Sequence, residues 1–323
     1  MGFWTRWTNR LLFEVRLPLK WGRDWLRLPL TGRHYDLYRR IHRDSYRCTW
    51  AFPELVNCRD YNDKIQWLKL FDQQPRIVSC SDKLGVREYV RERLGDGFLP
   101  ELYQVGRHVR ELDFDALPDA FVLKTNHDSG TVQLIRDKNA LDRAAVEERF
   151  EQALATTFSL VEGEWAYAFI PPRVFAEEFI EPENLTPPAD YKFHCVEGRM
   201  ALLQYITDRG IDPKEQMIDR TGQDVGFVFD HRFRHGESFS KPAQWERLID
   251  VAETLAAGFK YVRVDLYLSR GRIYVGEMTF WPMAGRYRSD GQQTMGRYLT
   301  FDRSTVHPTC LHRLPNPRST ASR

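Results

Sequence analysis

Cysteine is scarce in this 323-residue chain: there are five, Cys48, Cys58, Cys80, Cys195 and Cys310. No two of them form a CxxC pair, and no His/Cys cluster has zinc spacing, which excludes a zinc ribbon or a thioredoxin-type redox site. A sparse, odd set also argues against a disulfide framework and fits a reducing compartment, so a cytoplasmic location is expected. There is no apolar run of the ~18 residues that span a bilayer. Arg and Glu interrupt the apolar residues at the start, so no secretory signal is expected. Net charge is only +2, which gives no global signal for nucleic acid as a partner. Apolar and charged fractions are those of an ordinary globular protein, and the length suits about two domains.

Charge is present but unevenly placed. Arginines recur from Arg6 through Arg47, interleaved with Trp4, Trp7, Trp21 and Trp25. Residues 3–17 and 21–28 read as two basic amphipathic helices broken at Pro18 and Pro29. Two readings of residues 1–50 stand side by side. One is a membrane-surface anchor, with Trp and Leu in the interface and Arg on anionic headgroups. The other is a pair of helices docked on the domain with a solvated basic face.

Further along, Tyr61, Ile65, Leu68 and Phe71 recur at helical spacing up to Pro75. A second helix is expected over 79–95, capped by Ser81 or Asp82, with Lys83 and Arg87 one turn apart on one face. Residues 99–105 read as a strand. Asp113-Phe114-Asp115 matches the DxD of metal-dependent glycosyltransferases, and in this turn-like setting equally reads as a cap. Residues 121–124 read as a strand ending in Lys124. The loop Asn126, His127, Asp128, Ser129, Gly130, Thr131 follows, and its backbone N–H groups suit phosphate oxygens. A Walker loop is absent. A helix is expected over 137–160 and a strand over 173–181. The Pro-rich run 181–190 reads as a lobe boundary, and residues 191–196 and 200–206 as a hairpin. Residues 207–241 show little periodicity and read as substrate-side loops. A helix over 242–259 leads into the strands of 261–285, joined at Ser269-Arg270-Gly271. Arg263 and Asp265 share a face of the first strand, and Glu277 and Thr279 lie on the second. Two facing carboxylates repel unless a cation sits between them, and Mg²⁺ is the usual one where phosphates are bound. The tail from 303 to 323 reads as disordered.

Taken in order, Asp82-Lys83…Arg87, the strand and loop from Lys124 to Thr131, the EEFI strand, Asp190-x-Lys192 and the RVD…GEMTFWP hairpin resemble the ATP-grasp superfamily, and KIQWLKLFD, FVLKTNHDSG, ADYKF and VRVDLY…GEMTF resemble most closely its TupA-like (teichuronopeptide biosynthesis) branch, over about residues 60–299. The resemblance implies an α+β fold of two lobes clamping ATP, preceded by the basic helical segment. It divides the chain into a pre-grasp region (51–120), a small lobe (121–182) and a large lobe with the metal site (183–302). It implies that Lys83, Lys124 and the 126–131 loop contact ATP phosphates. Glu177, Phe179 and Ile180 would meet adenine, and Asp190 the ribose. Lys192 and Arg263 would serve the transferring group, and Asp265 and Glu277 would hold Mg²⁺. In the superfamily the last strand ends Glu-x-Asn; Thr279 stands in place of that Asn. The implied activity is carboxylate–amine ligation in surface polysaccharide or glycopeptide assembly, on small-molecule or lipid-linked sugar and amino acid substrates. The alternatives are a glycosyltransferase using Asp113 and Asp115, an ATP-dependent sugar kinase, and a non-catalytic ATP-binding relic.

Overall fold

The computed structural model describes residues 3–128, 130–156, 162–181, 188–208, 212–237 and 239–307, with side chains from Phe13 onward. Ser129, the linker positions 182–187 and the tail positions 308–323 lie outside the described residues. The strands form two antiparallel-rich sheets. The smaller has strand order β1-β4-β2-β3: β1 Leu102–Gly106, β2 Phe121–Thr125, β3 Val132–Ile135 and β4 Val174–Glu178. The larger runs β10-β9-β5-β6-β7-β8: β5 Asp190–Val196, β6 Arg199–Thr207, β7 Lys214–Ile218, β8 Arg234–His235, β9 Tyr261–Ser269 and β10 Arg272–Thr279. This is the expected α+β arrangement.

Each sheet buries one face. Helix α6 (Arg143–Leu154), capped by Asp142, lays Val146 and Phe150 onto Phe121, Leu123, Ile135 and Val174. Helix α7 (Trp245–Ala256) is amphipathic, and its buried Leu248, Ile249, Ala252 and Leu255 pack on β5, β6 and β9. Each such fully buried Leu or Ile contributes about 1.5–3 kcal/mol. The opposite faces of the two sheets carry the polar residues of the cleft between them.

Among the described residues five further α-helices lie N-terminal to the sheets: α1 Phe3–Trp25, α2 Tyr35–Thr49, α3 Tyr61–Phe71, α4 Pro75–Ser81 and α5 Gly85–Leu94. The final helix, α8, is Gly291–Tyr298. Asp60 caps α3 by accepting from the Asp63 N–H at 3.0 Å. Most of α3 is buried, because α2, α8 and the turn after β10 surround it.

Several expectations are corrected. Residues 3–25 form one helix that runs through Pro18. Proline forfeits one helical hydrogen bond, but both halves are anchored on α2: Phe13 and Leu17 before it, and the fully buried Asp24 after it, which accepts from Lys20 (2.9 Å) and Tyr38 (2.9 Å). Pro75 opens α4, at the first-turn position where its missing N–H is not needed. Lys83 therefore precedes α5 in a turn closed by Asp82 Oδ1 and the Leu84 N–H (2.9 Å), and does not share a helix face with Arg87. The helix expected from 137 begins at Arg143. The aperiodic stretch 207–241 contains β7, whose Glu215–Ile218 are all buried, so the alternation expected of a half-exposed strand is absent. Residues 303–307 are ordered, since His307 exchanges backbone hydrogen bonds with Phe71 and Gln73 at 2.7 Å.

Two histidines are buried and neutral. His42 donates to the Tyr38 carbonyl (2.8 Å) and stacks on its ring, and His194 meets the Tyr261 hydroxyl (2.8 Å). Burial, aided by Lys20 for His42 and by Arg263 for His194, pushes both down to about 3. Below about pH 6.5 the unfolded chain takes a proton on each ring and the folded chain does not, so their stabilising contribution is lost as pH falls toward 3. The expected cost is about 1.4 kcal/mol per pH unit for each ring. Thermal midpoints measured from pH 7 to 4 will fall, and His42→Phe will flatten that slope; an unchanged slope places the titration elsewhere.

Candidate active site

The β9–β10 hairpin turns at Arg270 and Gly271, both with positive φ (50° and 74°), the two-residue turn that matches strand twist. Regular pairing would put Val275 and Glu277 on one face. A bulge at Gly276 prevents this: Val275 pairs with Leu266 on the core side, while Glu277 pairs with Asp265 and Thr279 with Arg263 on the cleft side. Glycine is required there, because a Cβ would stand 2.7 Å from the Tyr267 ring. One extra residue thus brings two carboxylates to one face.

The cation between them is Arg263 itself. Its guanidinium donates to both Asp265 oxygens (2.6 and 2.7 Å), to Glu277 Oε1 (3.0 Å) and to Thr279 Oγ1 (3.1 Å). Next to it, β5 registers Lys192 opposite Asp265, and the two form an ion pair. Asp190, two residues earlier on the same face, lies 3.6 Å from the Lys192 ammonium. Burial alone would raise the Asp265 carboxyl, but Arg263 and Lys192 outweigh it and hold the group below the usual range. Thr279 donates to Glu277 Oε1 (3.0 Å), so it orients that carboxylate. Glu277 is the more open of the pair, with its side chain 42% exposed against 2% for Asp265. Among the described residues no three His, Cys, Asp or Glu gather into a metal cage. Two hard carboxylates still fit Mg²⁺ where phosphate oxygens complete the shell; Glu277 is the accessible donor, and Asp265 is held by its two cations.

From the smaller sheet, Glu177 on β4 lies between Lys124 (2.5 Å) and Arg87 (3.1 Å). Its carboxylate therefore fixes the lysine. Phe179 and Ile180 follow β4, and Arg136 lies over the Phe179 ring. In the loop, Asn126 is buried and spent on structure: its amide donates to Asp82 (2.9 Å) and the Pro171 carbonyl (3.1 Å) and accepts from the Arg173 N–H (2.7 Å). His127 is turned toward the Ala153 and Thr156 carbonyls at the end of α6. Asp128 accepts from the Thr125 and Thr131 hydroxyls (2.5 Å each), and its carbonyl accepts from Lys83. The loop is thus tied at both shoulders, with Gly130 exposed at φ 104°. Burial pushes the Lys83 ammonium down against the opposing pull of Glu277 and Asp128.

Asp113 and Asp115 lie apart from this cluster. Asp113 accepts from the N–H groups of Asp115 (3.0 Å) and Ala116 (3.3 Å), and Asp115 pairs with Arg143 (2.6 Å). The DxD closes a turn that docks the buried Phe114.

Residues not singled out from the sequence complete the site. After β10 the chain makes a left-handed turn, with φ of 52°, 52° and 62° at Met283, Ala284 and Gly285. Two non-glycine residues there cost of order 1–3 kcal/mol each. Helix α3 holds the turn: Lys69 donates to the Ala284 carbonyl (2.9 Å), and Gln66 to Ala284 and Gly285 (2.8 Å each). Lys69 also donates to the Glu162 carbonyl (2.9 Å) and neighbours Glu164. Burial pushes Lys69 down and Glu164 up. Burial and the charges of Glu164 and Glu277 raise the Tyr167 hydroxyl. A lysine inside the apolar run WLKLF was the available signal; Glu164 and Tyr167 left none. At Gly285 an added Cβ would stand 2.7 Å from Ile65 and 2.8 Å from Gln66. Gly285→Ala is therefore expected to cost about 1–3 kcal/mol, read as a lower thermal midpoint.

The chain is similar to the solved D-alanine–D-alanine ligase from Bacillus anthracis, at 17% identity over 63% of this chain and 59% of that one, TM-score 0.40. It is similar to the D-alanine–D-alanine ligase from Helicobacter pylori (12% identity, 75% and 68% covered, TM-score 0.39). It is also similar to the ADP complex of purK, N5-carboxyaminoimidazole ribonucleotide synthetase (14%, 78% and 59%, TM-score 0.43). The match thus spans about three fifths of the length of the Bacillus anthracis ligase, and superpositions this loose transfer no residue roles. No curated protein sequence matches the chain. The model of the family described as TupA-like ATPgrasp matches residues 63–299, from within α3 to just past α8. By that match, which spans both sheets and the cleft between them, the chain belongs to the TupA-like ATP-grasp family.

Proposed function

We propose that this chain is an ATP-dependent carboxylate–amine ligase. The observation that carries the reading is the β10 bulge that brings Asp265 and Glu277 to one face with Lys192 and Arg263 bonded beside them, while on the smaller sheet Glu177 fixes Lys124. A carboxylate is a poor electrophile because oxide is a poor leaving group. Its oxygen attacks the γ-phosphorus of ATP and ADP leaves, giving an acyl phosphate. An amine nitrogen then attacks the acyl carbon, phosphate departs, and the nitrogen gives up a proton. The protein's task is positioning and charge neutralisation.

In this reading Lys83 and Lys124 hold phosphates, with Glu177 and Arg87 fixing Lys124. The backbone of Asp128, Gly130 and Thr131 covers them, while Asn126 and His127 shape the loop from behind. Phe179 and Ile180 border the adenine, and Asp190 the ribose. Lys192 and Arg263 meet the transferring group. Glu277 and Asp265 would hold Mg²⁺, which supplies charge neutralisation at the phosphates when bound. The substrates proposed are an amino acid and a uronic acid or amino sugar, free or lipid-linked, in surface polysaccharide or glycopeptide assembly in the cytoplasm at the inner membrane face. Among the described residues no helix is long and apolar enough to cross a membrane.

Calorimetry with Mg²⁺ is expected to show ATP binding by the wild type. Lys124→Met should weaken it at least ~10-fold, the loss of one charge-assisted contact, and Glu277→Gln should remove its dependence on Mg²⁺, with melting curves confirming that both variants fold. Asp115→Ala should bind as wild type. Tight UDP-sugar binding with no response to ATP would sink the ligase reading.

A further inference from the structure

Helix α1 has two dissimilar faces. Phe13, Leu17, Lys20 and Asp24, at i, i+4, i+7 and i+11, turn inward onto α2, where Asp24 is 0% exposed. On the other side Val15 and Leu19, and Leu26 in the turn that closes the helix, are 60, 73 and 85% exposed. Among the described residues nothing covers them. Arg16 and Arg23 lie on one flank, about 80–100° from Val15 on a 3.6-residue helix, and Arg27 follows in the closing turn. Pro18 and Trp25 lie on the other flank, and Trp25 is 41% exposed while its ring meets Trp21 at 5.1 Å.

We infer that this outward face of α1 lies in the surface of an anionic phospholipid bilayer. The inference gives the docked reading to one face of the helix and the lipid-facing reading to the other. An apolar strip one helix wide, with arginines on one edge and an indole on the other, is the layout of a helix lying in the interface plane. Charge segregation favours lipid over a protein partner. Residues 1–50 hold eleven Lys/Arg against four Asp/Glu, although the whole chain nets only +2. The remainder of the chain is therefore net negative, and an anionic surface attracts one end of the molecule and repels the rest, which orients it. The inference does not depend on the ligase reading, and its test contains no nucleotide.

The experiment is co-sedimentation of the full chain with vesicles of phosphatidylcholine alone or with about 30% phosphatidylglycerol. The wild type is expected to partition onto the anionic vesicles at least ~10-fold better than onto neutral ones, and to be released by about 0.5 M salt. Leu19→Asp with Leu26→Asp should lower the anionic partition at least ~10-fold, and Arg16→Glu with Arg27→Glu should abolish the preference for anionic lipid. Both pairs are solvent-exposed, so melting temperatures should not move. Absence of wild-type binding, or equal binding by the Leu variant, overturns the inference. So does a wild-type dimer that the Leu variant converts to monomer without any vesicle binding, which would assign the face to a second copy of the chain.

Discussion

The bridge from Arg263 to Asp265 and Glu277 is the interaction around which the large sheet is arranged. Two carboxylates on adjacent strands are tolerable in a buried setting only with cations beside them. The register of β5 supplies Lys192, the alternation of β9 supplies Arg263, and the bulge in β10 turns Glu277 toward them. Remove any one of these and an uncompensated charge is left in the cleft. The second layer is aromatic and polar: Tyr61 and Tyr261 share a hydrogen bond at 2.8 Å, and Tyr261 meets His194, which lies beside Gln204. This layer ties α3 to β9 and β5 directly beneath Arg263.

The smaller sheet answers with the same device. Glu177 holds Lys124 and Arg87 at once, and Asp128 holds the loop through two threonine hydroxyls. In both lobes the acids fix the bases, and the cations facing the cleft are held in position before any ligand arrives. Preorganisation of that kind lowers the entropic cost of binding a polyanion.

Much of this was legible from residue order. The alternation of 261–267 and the FVLK strand place Arg263, Asp265 and Lys124 correctly, because strand periodicity is strict and local. What was not legible depended on tertiary contact. Pro18 reads as a break, yet packing on α2 carries the helix through it. Lys83 reads as helical, but Asp82 closes a turn first. The face of Glu277 depends on a bulge that a lone Gly276 only hints at. Asn126 and His127 look like nucleotide ligands in sequence, whereas the fold turns both inward to brace the loop. Strand β7 has no alternation to read because both its faces are covered.

The way α3 is held has a consequence for where the molecule can be cut. The family match begins at residue 63, inside α3, but Asp60 caps that helix, and Asp63 reaches back to the N–H groups of Glu54 (2.7 Å) and Arg59 (2.9 Å). The backbone of Asp60 also packs so closely on Gly296 that a Cβ there would stand 2.7 Å away. The stretch by which its kinship is recognised is therefore shorter than the set of residues that hold α3 in place. A fragment trimmed to residues 63–299 would keep every cleft residue named above and still lose the cap of the helix that braces the left-handed turn beside them.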